Sequence, residues 1–380
     1  MTNSYVKLGD LATYINGYAF KPKDRGDKGL PIIRIQDLTG NTYDKGFYDG
    51  KYPSKIEINN GDVLISWSAS LGVYLWNGGK ALLNQHIFKV IFDKKEIDKD
   101  YFIYAVRFSL KRLHQLTHGA TMKHIVKKDF DNVVIPYPSI KKQKEIAFNL
   151  DKIESIIKTR QQEIRMLDTL IKARFVEMFG DPMIKKDDRN LRKLKEICII
   201  NPKKNLASKF TNDIEVSFVP MSSVSEQGDI DVSQRKNYSE VRKGFTYFAE
   251  NDVLFAKITP CMENGKGAIA TGLINGIGFG STEFHILRPI KNITNPYWIY
   301  VLTSFKSFRK LAEVNMTGSA GQRRVPATFL KDYEVRLPPI ELQNEFASFV
   351  QQVDKSKVAI QKSLDETQTL FDSLMQKYFS

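Results

Sequence analysis

The sequence predicts an α+β chain built as a pseudo-twofold internal repeat: two tandem α+β globules, each running into a long helix, with the two helices pairing antiparallel as a coiled coil. Three observations carry this prediction. The second half repeats the skeleton of the first in the same order. Short β-branched and aromatic runs punctuated by Gly, Asn and Asp fill the first part of each repeat. A proline-free 4-3-4 apolar spacing fills the second part. The boundaries follow: globules at 1–138 and 182–338, helices at 139–181 and 339–380.

The repeat is read by sliding the chain against itself. Leu8-Gly9-Asp10-Leu11 answers to Leu194-Lys195-Glu196-Ile197 at offset 186, and Gly61-Asp62-Val63-Leu64 to Asn251-Asp252-Val253-Leu254 at offset 190. Tyr101-Phe102-Ile103-Tyr104 matches Tyr297-Trp298-Ile299-Tyr300 at 196, Gly119 matches Gly318 at 199, and Pro138-x-Ile140-x-x-Gln143 matches Pro338-x-Ile340-x-x-Gln343 at 200. An offset that grows steadily means small loop insertions within one duplicated unit. Runs such as Leu30 to Ile35 and Gln85 to Phe92 read as strands of the globules.

In the first helix the seam is Ile146, Leu150, Ile153, Ile157, Ile164, Leu167 and Ile171, broken at Arg160. In the second it is Phe346, Val350, Val353, Ile360, Leu364, Phe371 and Leu374, with Lys357 and Thr367 as polar interruptions. A helix with one apolar stripe is unstable alone, so the two are expected to pack on each other. At about 1.5 Å per residue, about 37 residues make a rod of roughly 55 Å, a spacer between the globules.

Composition narrows the chemistry. With 57 Lys+Arg against 43 Asp+Glu the formal charge of the 380 residues is +14, which points toward polyanions. The only cysteines, Cys198 and Cys261, form no Cys-x-x-Cys, so no disulfide framework or thiolate zinc site is expected, and a cytoplasmic location is. No leader peptide or spanning segment is expected either.

Enzymatic motifs are poor. Asn295-Pro296-Tyr297-Trp298 approaches the Asn-Pro-Pro-aromatic loop of amino-methyltransferases but lacks the second proline, and Gly276-Ile277-Gly278-Phe279-Gly280 has no helical pattern after it to receive a phosphate. Gly265-Lys266-Gly267 fails as a P-loop, and His114 and His118 lack the glutamate of a zinc protease. No catalytic or metal-binding residues are expected.

Nucleic-acid binding has better local support. Between Tyr101 and Lys128 stand Arg107, Lys111, Arg112, Lys123, His124, Lys127 and Lys128, with no Asp or Glu. The equivalent stretch carries Lys306, Arg309, Lys310, Arg323 and Arg324. Such side chains neutralise phosphates and release counterions, which gives affinity without sequence information. Base edges need donors and acceptors on loops. Gly318-Ser319-Ala320-Gly321-Gln322-Arg323-Arg324 offers these on a turn, its counterpart being Gly119 to His124. A second loop carries Lys257, Asn264 and Lys266, its counterpart Ser66 to Gly72 holding Trp67, which is read as core.

In layout the chain resembles the specificity subunits of type I restriction-modification systems: variable α+β globules, each opened by Leu-x-(Asp/Glu)-(Leu/Ile) and closed by Pro-x-Ile-x-x-Gln leading into a long helix, in that order, twice. The resemblance covers essentially the whole chain. It implies that the globules are target recognition domains for double-stranded DNA and that the helices are conserved spacers. It also implies a non-catalytic subunit reading the two halves of an asymmetric bipartite target. The implied partners are two methylation subunits bringing S-adenosylmethionine for adenine methylation, and restriction/translocase subunits bringing ATP and magnesium. An orphan specificity protein without partners, or a coiled-coil scaffold that binds no DNA, are the alternatives.

Overall fold

The computed structural model describes residues 4–41, 44–68, 70–116, 127–182, 191–204, 214–319 and 321–380. The chain divides into two units, 1–161 with 362–380, and 162–361.

The first unit carries strands β1 (Tyr5–Lys7), β2 (Thr13–Asn16), β3 (Leu30–Ile33), β4 (Phe47–Tyr48), β5 (Glu57–Ile58), β6 (Val63–Ser66), β7 (Gly72–Leu75), β8 (Ala81–Leu83), β9 (Ile87–Ile91) and β10 (Val134–Pro136). They form a ribbon, β1-β10, and two four-stranded sheets in the orders β2-β9-β6-β7 and β4-β3-β8-β5. The second unit carries β11 (Leu191–Lys193), β12 (Cys198–Ile200), β13 (Glu215–Val219), β14 (Arg235–Asn237), β15 (Thr246–Ala249), β16 (Val253–Ala256), β17 (Gly267–Ile269), β18 (Ile277–Gly280), β19 (Phe284–Pro289) and β20 (Glu334–Arg336). Its ribbon is β11-β20 and its sheets run β12-β19-β16-β17 and β14-β13-β18-β15. The two topologies correspond strand for strand, including a parallel strand pair in each, β3 with β8 and β13 with β18.

The repeated motifs turn out to be joints. Leu8-Gly9-Asp10-Leu11 and Leu194-Lys195-Glu196-Ile197 are single helical turns whose Leu8, Leu11, Leu194 and Ile197 are buried. In the next tetrads Gly61 and Asn251 take the left-handed conformation (φ 87° and 67°). The following carboxylate accepts a turn N–H three residues back, Asn59 N to Asp62 and Ala249 N to Asp252, each at 2.8 Å. It also receives a cation from the adjacent strand: Lys89 Nζ lies 2.8 Å from Asp62, and Arg288 forks onto the buried Asp252 at 2.7 Å through both Nε and Nη2.

The glutamine of each Pro-x-Ile-x-x-Gln is fully buried. Gln143 accepts from Asp98 N at 2.9 Å and donates to Pro138 O at 2.8 Å; Gln343 accepts from Asn295 N at 2.9 Å and donates to Pro338 O at 2.8 Å. Each side chain locks the start of a long helix to the loop before a shorter one, since a buried amide left unpaired would cost its desolvation.

The long helices are Ile140–Phe179 and Ile340–Phe379. Gly180, at φ 81°, stops the first and donates its N–H to Val176 O at 2.8 Å. In the first unit Ile146, Leu150, Ile157, Leu364 and Phe371 are buried, with Ile153 and Leu374 half-buried. In the second unit Ile171, Phe346, Val350 and Val353 are buried and Ile164, Leu167 and Ile360 half-buried. Phe175, which the 4-3-4 count passed over, belongs to the same core, its ring centre 5.5 Å from that of Phe346 and 6.3 Å from that of Trp298. Burial of one such aromatic contributes about 1.5–3 kcal/mol.

The helices run antiparallel: in the second unit Asp168 meets Lys357 at 2.7 Å while Arg174 meets Glu345 at 3.2 Å. The polar interruptions are partnered. Arg160 donates to Ser363 O at 2.7 Å and to the Thr367 hydroxyl.

Candidate nucleic-acid interface

In the first unit the basic stretch begins on the helix Lys99–Leu116. Tyr101, Phe102, Ala105 and Val106 face the core, which leaves Lys111 and Arg112 exposed further along. Lys111 lies 3.9 Å from Asp372, both well exposed, a contact that contributes little in water. Arg107 has a different job. Its Nη1 donates to Glu154 Oε1 at 2.9 Å, and its guanidinium lies 5.2 Å from the ring centre of Tyr104, whose hydroxyl donates to Asp151 at 2.7 Å. Burial pushes the Glu154 carboxyl up, but the charges of Arg107 and Lys158 outweigh it and hold the group below its ordinary value. Arg107 therefore ties its helix to the long one. Lys127 and Lys128 open the short helix Lys127–Asp131 and are exposed, Lys127 reaching Asp131 at 3.2 Å. Lys123 and His124, with the loop from 119, lie outside the described residues.

In the second unit the helix Lys306–Val314 presents Lys306 and Lys310 to solvent, Lys310 reaching Glu313 at 3.0 Å. Arg309 on the same helix is a correction to the sequence-based set. It is buried, and its guanidinium donates to the carbonyls of Thr303 (2.7 Å), Met262 (3.0 Å), Lys266 (3.2 Å) and Gly265 (3.3 Å). Burial brings its pKa down to about 10. One face lies against Phe255 at 4.3 Å, and four of the five N–H donors are taken up by backbone carbonyls. Arg309 builds the loop at 257–266 and cannot reach a DNA strand.

That loop is stitched to the glycine turn that follows it in space. Thr259 N donates to Arg323 O at 3.0 Å and Val325 N to Lys257 O at 2.9 Å. Thr317 and Arg324 exchange backbone hydrogen bonds at 2.9 and 2.8 Å, with Gly318 and Gly321 at φ 116° and 83° closing the turn between them. Arg324 forks onto Glu283 at 2.9 and 2.8 Å and holds that carboxyl below its ordinary value. Lys266 donates to Met221 O at 3.1 Å. Arg323 sits 3.9 Å from both Glu263 and Glu313, shared loosely, while Gln322 and Asn264 are exposed. The structure therefore separates the candidates: Arg309, Arg324 and Lys266 hold the loops together, and Asn264, Gln322 and Arg323 are presented by them.

Asn295-Pro296-Tyr297-Trp298 is a helix start, the Asn295 side chain accepting from Tyr297 N at 2.9 Å. Sequence reasoning missed one concave feature. An open cleft of about 500 Å³ is lined by Lys203, Lys204, Lys257, Thr246, Tyr247 and Thr282 among others. Its sequence signals are the Pro202-Lys203-Lys204 run after β12 and Lys257, already a candidate on the second loop.

Comparison with known proteins fits this duplicated layout. The family model described as type I restriction modification DNA specificity domain matches residues 2–166 and again 186–367. The chain belongs to that family. Two copies of the specificity domain thus account for nearly all of it. Among relatives, the type I restriction enzyme EcoAI specificity subunit of Escherichia coli is 40% identical over 189 residues, 48% of this chain and 31% of that protein. Over that match the chain spans about a third of the length of its relative. The StySPI specificity subunit of Salmonella potsdam is 23% identical over a 409-residue alignment covering 97% of this chain and 86% of that one. In fold, the chain resembles the type I restriction-modification S subunit from M. genitalium, with a TM-score of 0.54 at 14% identity, covering 100% of this chain and 97% of that one. No helix among the described residues is long and apolar enough to cross a membrane.

Proposed function

We propose that this chain is the DNA-recognition subunit of a cytoplasmic type I restriction-modification complex. Each specificity domain reads one half of an asymmetric bipartite target, and the chain positions methylation and restriction/translocase subunits on it. The observation that supports this most is that one scaffold occurs twice with unlike residues at corresponding loop positions, Trp67 following β6 where Lys257 follows β16. Equal scaffolds with unequal loops suit two different half-sites. Lysines such as Lys127 and Lys128 supply phosphate contacts and counterion release, while loop amides and guanidinia discriminate bases.

The chemistry belongs to the partners in this proposal. Two methylation subunits bring S-adenosylmethionine and reach an adenine by flipping it from the stack. Restriction/translocase subunits bring ATP and magnesium. Purified chain alone, incubated with labelled S-adenosylmethionine and duplex, is expected to transfer no methyl group.

The direct test is binding of the assembled complex to a matched duplex. Lys127→Glu with Lys128→Glu should weaken binding at least tenfold at moderate salt, for matched and unmatched duplexes alike. It should also flatten the salt dependence by about 0.9 in log–log slope for each phosphate no longer neutralised. Binding indistinguishable from the parent would assign the basic stretch to solvation instead, and a parent that ignores DNA would favour the scaffold alternative.

A further inference from the structure

The cleft in the second unit joins Lys257 of the loop at 257–266 to lysines that lie outside the recognition loops. Lys203, Lys204 and Lys257 line it together with the hydroxyls of Thr246 and Thr282 and the ring of Tyr247, and none of its lining residues is Asp or Glu. The Lys203 and Lys257 ammoniums make no side-chain hydrogen bond or ion pair among the described residues, although the neighbouring Arg288 and Arg324 are each forked onto a carboxylate. Lys204 lies deeper, its ammonium 5.0 Å from the ring centre of Phe279 and donating to Arg242 O. Burial lowers its pKa. The nearby Glu283 carboxylate feels Lys257 but is already forked by Arg324, so three lysines stand at a concave site whose lining supplies no carboxylate, a setting that favours an incoming anion.

The first unit shows that the scaffold does not require this arrangement. Pairing of Ser66 with Ile87 corresponds to pairing of Ala256 with Phe284, so Trp67 stands where Lys257 does. By the same registers Lys89 replaces Ile286 and Glu57 replaces Tyr247. There the cation is spent, Lys89 Nζ lying 2.8 Å from both Asp62 Oδ2 and Glu57 O, and a carboxylate stands where the cleft has a tyrosine. At these corresponding positions the described residues of the first unit hold no such pair of free lysines.

We propose that this cleft is a phosphate-binding site, occupied by one backbone phosphodiester of the DNA half-site read by the second domain. Lys203 and Lys257 contact the anion from the mouth, Lys204 from the floor, and the Thr246 and Thr282 hydroxyls donate to its free oxygens. The site fixes the position of the strand and carries no base preference. It rests on the recognition reading above and adds to it a contact outside the basic stretches.

The test uses the full chain in complex with its partners, since Lys203, Lys257 and Thr282 lie on loops at the surface. Lys203→Gln with Lys257→Gln should weaken binding to every duplex by a similar factor, on the order of tenfold. The log–log salt slope should fall by about 0.9 for the one phosphate released. Thr282→Glu, which sets a carboxylate at the mouth, should reproduce the weakening without removing a lysine. Unchanged affinity and slope in both variants, with the parent binding steeply, would overturn the site alone. A parent that binds no duplex would overturn the recognition reading and the site with it. Titration of the parent with inorganic phosphate separates the two sources of anion. A millimolar phosphate effect on melting temperature that the lysine variants abolish, with duplex binding unaltered in those variants, would assign the cleft to a free phosphate and refute the backbone contact.

Discussion

Lys306, Arg309 and Lys310 sit within two turns of one helix and carry the same charge, yet the fold uses them in opposite ways. The amphipathic phase of Lys306–Val314 turns Arg309 inward with Phe308 and Ala312, while Lys306 and Lys310 point to solvent. Replacing Arg309 by Met keeps the volume but leaves the carbonyls of Thr303, Met262, Lys266 and Gly265 without their donor. The expected loss is about 1–3 kcal/mol of stability, read by thermal or denaturant unfolding. At temperatures where the variant remains folded, the salt slope of DNA binding should match the parent. Lys306→Ala with Lys310→Ala should do the reverse, lowering the slope with little change in melting. Charge density along the sequence locates both kinds of residue without distinguishing them. The carbonyls that claim Arg309 come mostly from a loop more than forty positions away, so no local pattern could mark it as structural.

The two long helices were the most legible elements, because a seven-residue apolar rhythm without proline has few other outcomes. The polar breaks in that rhythm were legible only as breaks. Their pairing depends on antiparallel register: Arg160 finds Ser363 and Thr367, and Lys357 finds Asp168 while also standing 3.9 Å from Asp354. Lys357 thus separates two carboxylates. Burial raises the Asp354 carboxyl above its ordinary value, Lys357 lowers it and Asp168 raises it again. Lys357→Met removes the lowering contribution and leaves two part-exposed acids facing each other, at an expected cost of about 1 kcal/mol or less near neutral pH because solvent screens them. The sign of the pH dependence follows. With the folded-state pKa of Asp354 raised further above its unfolded value, the folded variant binds the proton more readily than the unfolded chain. Its stability therefore recovers as pH falls into the carboxylate range. Unfolding free energies of parent and variant, measured at pH 7.5 and pH 5, should converge at the lower pH. A constant gap would show that the loss is one of packing only.

At the scale of the whole chain the duplication is the organising fact, and the repeated sequence motifs marked it because they are joints. Asp62 and Asp252 each bind a turn and a neighbouring strand, and Gln143 and Gln343 each fasten a long helix. Both copies make these contacts with the same side-chain types at matching positions, while the loops between them differ. The loops themselves were legible only in position. The turn at Gly318 was found by its glycines, whereas the assignment of Arg324 to Glu283 and of Arg323 to two loosely shared glutamates needed the fold. Divergence between the copies leads to the sharpest expectation for the molecule. Gln322 and Arg323 are presented by the second domain alone, so Gln322→Ala with Arg323→Ala should relax base preference in one half of the target and leave the other half as it was. Removing a base-reading side chain should cost about 1–3 kcal/mol of discrimination at its position. The measurement is a competition of duplex libraries randomised in one half-site at a time, at fixed salt. Uniform weakening across both libraries would make these side chains phosphate contacts, and relaxation in both halves at once would break the one-domain, one-half-site correspondence on which the recognition proposal stands.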